Sequence, residues 1–322
     1  MHNFNNSFKI EGFGGVGSHK FAFYVNLKLI FFIFRHFYAI ILFGDNMLKI
    51  SHKNNTTIIE NAENFDLKKT FECGQCFRFN MDQDGVWKGI VDGKEIYAQS
   101  IDNSIIIYPC NEKDFNEFWH NYFDLSRDYG AINETFSQDE ILSNAAIYGN
   151  GIRILNQDPW EALCSFIISQ NNNIPRIKGI VERLCENFGD KINGGYSFPS
   201  ANTIAKISVD DLAVIRSGFR AKYIIDAAKK VSDGSINFEE LKETDSNTAR
   251  EKLMTIYGVG EKVADCTLLF GLSHIDVCPK DVWIKRALTV LYDGEFPDCA
   301  KTYAGIAQQY LFYYARETKL EI

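Results

Sequence analysis

The chain has 322 residues, 46% of them hydrophobic, a formal net charge of −8 and a pI near 5.4. That length and apolar fraction suit two or three packed layers and exclude a disordered chain. The acidic balance excludes a protein that holds polyanions through bulk charge, although net charge leaves a local site free to be basic.

Residues 27–43 form an apolar run with Arg35 and His36 at its middle. A central arginine costs roughly 2.5–3.5 kcal/mol in a membrane helix, and the run is short for a span. No small-residue cleavage site is evident. Gly12 to Gly17 read G-F-G-G-V-G, but no βαβ unit brackets them, so they are weak evidence for nucleotide binding. The expectation is that Met47 is the true start and residues 1–46 an over-read extension; a membrane anchor is the alternative. Eight cysteines without a secretory pattern predict free thiols in a reducing compartment.

Residues 47–135 favour strands. Short β-rich runs at 57–60, 76–79, 86–91, 95–99 and 105–108 alternate with polar turns such as 81–85 and 91–94. A helix is predicted over 113–123, with Phe115, Phe118, Trp119 and Tyr122 on one face. Cys73-x-x-Cys76 invites a redox or zinc reading; no Trp precedes it and no βαβ pattern surrounds it, so no metal is expected.

From Gln138 onward nearly everything is helix-periodic. The predicted class is α+β: an antiparallel β-sheet domain over 47–135, then a mainly helical domain over 136–322. An apolar helix over 160–168 leads into Ser169-Gln170-Asn171-Asn172-Asn173-Ile174-Pro175-Arg176. Asparagines are poor helix formers rich in donors and acceptors, so this reads as a polar linker ended by Pro175. Gly218-Phe219-Arg220-Ala221-Lys222-Tyr223 follows. Lys178, Arg216, Arg220, Lys222, Lys229, Lys230, Lys280, Lys285 and Arg286 gather in this half.

Residues 247–272 read as a helix-hairpin-helix. A helix over 247–257 meets Gly258-Val259-Gly260, and a second runs from about 261 to 272. The glycines permit backbone angles that other residues resist. The amides opening the second helix lack internal partners and, with the helix dipole, suit a phosphate. Lys262 falls in the first turn, where the dipole disfavours its charge. A lysine placed against that preference is a candidate amine nucleophile, because a neutral amine attacks carbon. Asp281, in Pro279-Lys280-Asp281-Val282-Trp283, sits at a predicted helix start. It reads as an N-cap or as a carboxylate that orients attack, stabilises positive charge and moves protons.

Gly-Val-Gly-Glu-Lys-Val-Ala-Asp-Cys at 258–266 and Cys-Pro-Lys-Asp-Val-Trp at 278–283 resemble the 8-oxoguanine DNA glycosylases of the helix-hairpin-helix superfamily. The resemblance covers about residues 57–317. It implies that Lys262 attacks C1′ of a damaged nucleotide, with Asp281 as the essential carboxylate, and that a Schiff base forms and the strand is nicked by β-elimination. It implies that Asn171 and Arg176 meet the base left unpaired, that Phe219 wedges into the stack and that Arg220 bonds the orphan cytosine. Within Cys73-Gly74-Gln75-Cys76-Phe77-Arg78, the Gly74 carbonyl would sense the hydrogen that 8-oxoguanine carries on N7, an acceptor in ordinary guanine. Gln308 would read the flipped base's pairing edge, with Phe312 on one ring face and Cys266 on the other.

The resemblance therefore implies a base-excision glycosylase and lyase without cofactor or metal: relatives with an iron–sulfur cluster hold four closely spaced cysteines, and only Cys299 follows Asp281. The partner expected is duplex DNA with an oxidised purine, met by a cytoplasmic monomer, nucleoid-associated if bacterial, with no membrane. The alternatives are a glycosylase/lyase for another oxidised base and a non-catalytic helix-hairpin-helix module that only grips DNA.

Overall fold

The computed structural model describes residues 48–319. The expectations for residues 1–46 and for Met47 as the start lie outside the described residues. Among the described residues, no helix is long and apolar enough to cross a membrane.

Six antiparallel strands form one sheet in the order β1-β2-β6-β5-β4-β3. They are β1 Lys49–Lys53, β2 Thr56–Glu60, β3 Asn80–Met81, β4 Trp87–Val91, β5 Lys94–Ile101 and β6 Ser104–Tyr108. Period-two alternation puts Ile59, Trp87, Ile96, Ala98, Ile105 and Ile107 on one buried face. Register aligns them as Ile59 opposite Ile105, Ile107 opposite Ala98 and Ala98 opposite Trp87. Phe65, Phe71, Phe79, Phe115, Trp119 and Phe123 cover that face.

Two elements here have little sequence signal. β1 carries a single aliphatic side chain, Ile50, and forms because Asn54 and Asn55, both at positive φ, fold it back onto β2. The helix α1, Leu67–Glu72, lies between strands and buries Leu67, Thr70 and Phe71. The strand predicted over 76–79 is a correction: this segment is irregular, and the strand proper is only Asn80–Met81. Its apolar residues pack separately, Phe77 into the helical core and Phe79 into the sheet core, where it stacks on Phe71 at 3.9 Å. The helix expected over 113–123 contains a wider π turn, Phe115–Trp119.

The longer helices that follow are α2 Tyr129–Phe136, α3 Glu140–Gly149, α4 Pro159–Ser169, α5 Ile174–Phe188, α6 Ala221–Ser232, α7 Phe238–Glu243, α8 Ser246–Leu253, α9 Glu261–Leu272, α10 Val282–Tyr292 and α11 Ala304–Thr318. A short hairpin, β7 Lys191–Ile192 with β8 Gly195–Tyr196, interrupts them. These helices share a second apolar core, into which the sheet side sends Cys73 and Phe77. α4 and α9 pack side by side in its centre, and Gly271 of α9 brings the pair close: a Cβ there would sit 2.8 Å from Pro159. Buried Asp265 on α9 holds Arg250 on α8 at 2.5 Å, bracing the two hairpin helices.

Candidate active site

The hairpin follows from its glycines. α8 ends at Leu253, not at 257 as periodicity predicts, because the Thr255 and Ile256 amides tighten onto the Lys252 and Leu253 carbonyls, i→i−3, and the Tyr257 amide turns away to Asp226 Oδ2 at 2.7 Å. Gly258 has φ +79°, and a Cβ there would lie 2.4 Å from the Tyr223 ring. The Val259 amide donates to Ile256, and Gly260 opens α9 with its carbonyl accepting from Val263 and Ala264. Gly260 offers no capping side chain, so the amides of Glu261 and Lys262 are left for an external acceptor.

Lys262 stands in that first turn and reaches inward. Its Nζ donates to Ser169 Oγ at 2.9 Å and lies 5.0 Å from the Phe166 ring centre. Ser169 Oγ in turn donates to the Phe166 carbonyl at 2.8 Å, which fixes the hydroxyl as acceptor for the amine. Asp281 is the N-cap of α10, its Oδ1 accepting from the Ile284 amide at 2.7 Å. A carboxylate has a second oxygen, so capping and chemistry do not compete.

Both residues line one cavity of about 690 Å³, together with Gly74, Asn171, Cys266, Gln308 and Phe312. That volume lies within the range of roughly 300–1,000 Å³ usual for small-ligand sites. Burial pushes the Cys266 thiol up to about 11 against the pull of neighbouring Lys262, so this wall stays protonated and apolar. Trp283 meets Phe312 edge-on at 5.7 Å in the same wall.

Gly74 reaches the cavity at φ +86°, and Gln75 holds it there. The Gln75 side chain is fully buried. Its Nε2 donates to the Thr70 and Arg153 carbonyls at 2.9 and 2.8 Å, and its Oε1 accepts from the Leu155 amide at 2.9 Å. The flanking Cys73 and Cys76 are free thiols, both raised by burial, Cys73 to about 12.

The three asparagines have three different roles. Asn171 adopts φ +47° and faces the cavity. Asn172 Nδ2 donates to the Ile168 carbonyl at 3.0 Å, closing α4. Asn173 caps α5, accepting from the Arg176 amide at 3.0 Å. Pro175 therefore does not end a linker; it sits in the first turn of α5, where a missing N–H costs nothing.

Arg176, Phe219, Arg220 and the hairpin residues 258–260 lie outside the cavity lining. Arg176 is exposed, and Phe219 is 51% exposed, with Tyr223 edge-on at 5.8 Å. Arg220, expected to bond the orphan cytosine, has partners within the chain itself. It is buried, and its guanidinium donates to the carbonyls of Gln170, Asn171 and Ser217, so it braces the Asn171 turn. The expected cationic cluster is also partly structural. Lys178 donates to the Phe79 carbonyl and Lys230 pairs with Asp226, while Lys280 and Lys285 line the cavity.

Ser169, Gln75, Trp283 and Gln309 belong to the site without a role legible in the sequence. Ser169, Gln75 and Trp283 stand inside motifs already singled out, so adjacency was their only signal.

Residues 164–299 match the model of the HhH-GPD superfamily of base excision DNA repair proteins, which defines the class of the helical domain. Residues 57–163 match the model of the 8-oxoguanine DNA glycosylase N-terminal domain. A solved Clostridium acetobutylicum 8-oxoguanine glycosylase/lyase, in complex with double-stranded DNA containing cytosine opposite 8-oxoguanine, is 40% identical with TM-score 0.79, over 84% of this chain and 99% of that one. The chain belongs to the 8-oxoguanine DNA glycosylase family. A Saccharomyces cerevisiae N-glycosylase/DNA lyase is 39% identical over 158 residues, 44% of this chain and 42% of the yeast protein. A probable N-glycosylase/DNA lyase of Methanothermobacter thermautotrophicus is 29% identical over 243 residues, 65% of this chain and 77% of that protein. The chain thus spans less than half the length of the yeast relative.

Proposed function

We propose that the protein excises 8-oxoguanine from duplex DNA and then cuts the strand at the resulting site. One observation carries this reading: the Lys262 amine projects into a cavity of about 690 Å³ whose wall also holds Asp281, Gly74, Gln308 and Phe312. The base would enter everted, since its sugar carbon is out of reach inside the stack. Phe219 and Asn171 would occupy and read the gap left behind.

In the proposed reaction the neutral Lys262 amine forms a bond to C1′ as the C1′–N9 bond breaks, and the base leaves with the bonding pair and gains a proton. Asp281 stabilises the positive charge that develops on the sugar. Opening of the ring gives a Schiff base between Nζ and C1′. Loss of a C2′ proton then expels the 3′ phosphate oxygen, which is the β-elimination step. The Ser169 hydroxyl holds the amine before attack, and the buried Cys266 with the half-buried Phe312 keeps water from competing for C1′. The protein is proposed to act as a cytoplasmic monomer without cofactor.

Borohydride trapping on a duplex with 8-oxoguanine opposite cytosine tests this. A covalent adduct that disappears in Lys262→Gln is expected. No adduct from folded protein would leave only a DNA-gripping hairpin. Faster cleavage of a thymine glycol duplex would reassign the lesion.

A further inference from the structure

The turn Gly218–Arg220 runs without a break into α6, so Phe219 and the first residues of that helix form one piece. The same piece grips the hairpin. Tyr223, half-buried in the first turn of α6, sets its ring against the Gly258 backbone, where a Cβ would come within 2.4 Å of Cδ1 and Cγ. The Tyr257 ring meets Tyr223 edge-on at 5.0 Å and 84°, and the Phe219 ring meets it edge-on at 5.8 Å and 72°. Further along α6, Asp226 Oδ2 accepts from the Tyr257 amide at 2.7 Å, and Lys230 Nζ donates to the Thr255 carbonyl.

These contacts give Phe219 two braces. It is 51% exposed, with the Tyr223 ring on one side and the Arg220 guanidinium 4.4 Å from its ring centre. Arg220 leads to the Asn171 turn and Tyr223 leads to the hairpin. Edge-on ring contacts are directional, so Tyr223 fixes the angle of Phe219 as well as its distance. Among the described residues the Tyr223 hydroxyl has no hydrogen-bond partner, so what this side chain offers is the ring.

Everting a base costs unstacking energy, which an inserted apolar side chain offsets only if it stands at the right depth. A phosphate held by the amides after Gly260 fixes the strand relative to the hairpin. Tyr223 is the ring that joins hairpin and wedge. We propose that Tyr223 is a positioning residue that ties the depth of the Phe219 wedge to the phosphate held at the hairpin, so that gripping the strand and filling the gap are one step. This rests on the glycosylase reading above.

Single-turnover excision of 8-oxoguanine opposite cytosine tests it, because residues that act through one another do not combine multiplicatively. Tyr223→Leu fills much of the space but removes the ring. Tyr223→Leu and Phe219→Ala should each slow excision by at least about tenfold, and the double variant by no more than about threefold beyond Phe219→Ala. Tyr223→Phe keeps the ring and should stay within about threefold of wild type. Thermal melting checks that each variant folds, and Tyr223→Met should repeat the Leu result. In a Lys262→Gln background, a 2-aminopurine beside the lesion should brighten less on binding when Tyr223→Leu is added, while affinity for undamaged duplex stays within about threefold. A loss of packing alone would not be relieved by Phe219→Ala. Excision at the wild-type rate by Tyr223→Leu overturns the proposal, as does a multiplicative loss in the double variant, unchanged 2-aminopurine brightening, or a loss in Tyr223→Phe equal to that in Tyr223→Leu. A wild-type protein that leaves 8-oxoguanine in place would instead overturn the glycosylase reading.

Discussion

The Lys262 amine donates to Ser169 Oγ at 2.9 Å across 93 positions of sequence, joining the first turn of α9 to the last residue of α4. The bond aims a flexible four-carbon side chain into the cavity before any substrate arrives, and such prior alignment is worth rate. Ser169→Ala should leave the fold and duplex binding unchanged. The borohydride-trapped adduct should form roughly three- to tenfold more slowly. Trapping at the wild-type rate would show that the hydroxyl only parks the amine.

Asp281 combines a structural and a chemical role, and two substitutions separate them. Asn keeps an oxygen to accept from the Ile284 amide, so Asp281→Asn should melt within about 0.5 kcal/mol of wild type, whereas Asp281→Ala should lose about 1 kcal/mol of stability. Both should lower the excision rate by at least about a hundredfold, because both remove the negative charge beside the sugar. Wild-type excision by Asp281→Asn would remove the carboxylate from the chemistry.

Gln75 buttons the Gly74 turn to the 153–155 segment through three buried hydrogen bonds. Gln75→Ala strands the Arg153 carbonyl and the Leu155 amide away from water, at about 1–3 kcal/mol for each group left unpaired, while the Thr70 carbonyl keeps the Cys73 thiol as donor. Urea melts should show a total loss of at least about 2 kcal/mol. Because Gly74 then loses its support, selectivity for 8-oxoguanine over guanine should fall as well. Unchanged stability would mean that water replaces the amide.

Glu161, 3.4 Å from Arg78, is pushed up to about 7 by burial despite that arginine's opposing pull. Between the usual carboxylate range and pH 7 the folded chain therefore holds a proton that the unfolded chain has released. Stability falls as pH rises through that window, by at most about 1.4 kcal/mol per pH unit from this group, and the contribution levels off above pH 7. Glu161→Gln should flatten that part of the profile in urea melts between pH 5 and 8. An unaltered slope would place the titration elsewhere.

Much of this was readable in the chain. Short β-rich runs between polar turns, such as 105–108, and helices with a continuous apolar stripe, such as 261–272, are local patterns, and the structure returns these two with bounds moved by at most a residue. Elements whose formation depends on a partner were not readable. β1 has one aliphatic residue and exists because β2 lies beside it. The run 76–79 has strand-like residues, yet Phe77 and Phe79 belong to different cores.

By itself the sequence determined the hairpin, its lysine, the capping aspartate and the helices and strands that carry them, because backbone freedom, capping and periodicity act over a few neighbouring residues. Only the tertiary structure decided what those side chains face. It set Ser169 under Lys262, turned Arg220 into a brace for Asn171, locked Gly74 through Gln75 and paired Gln308 with Gln309. Each of these depends on which distant carbonyl, hydroxyl or amide packing brings within about 3 Å, the reach of a hydrogen bond, and no local pattern encodes that.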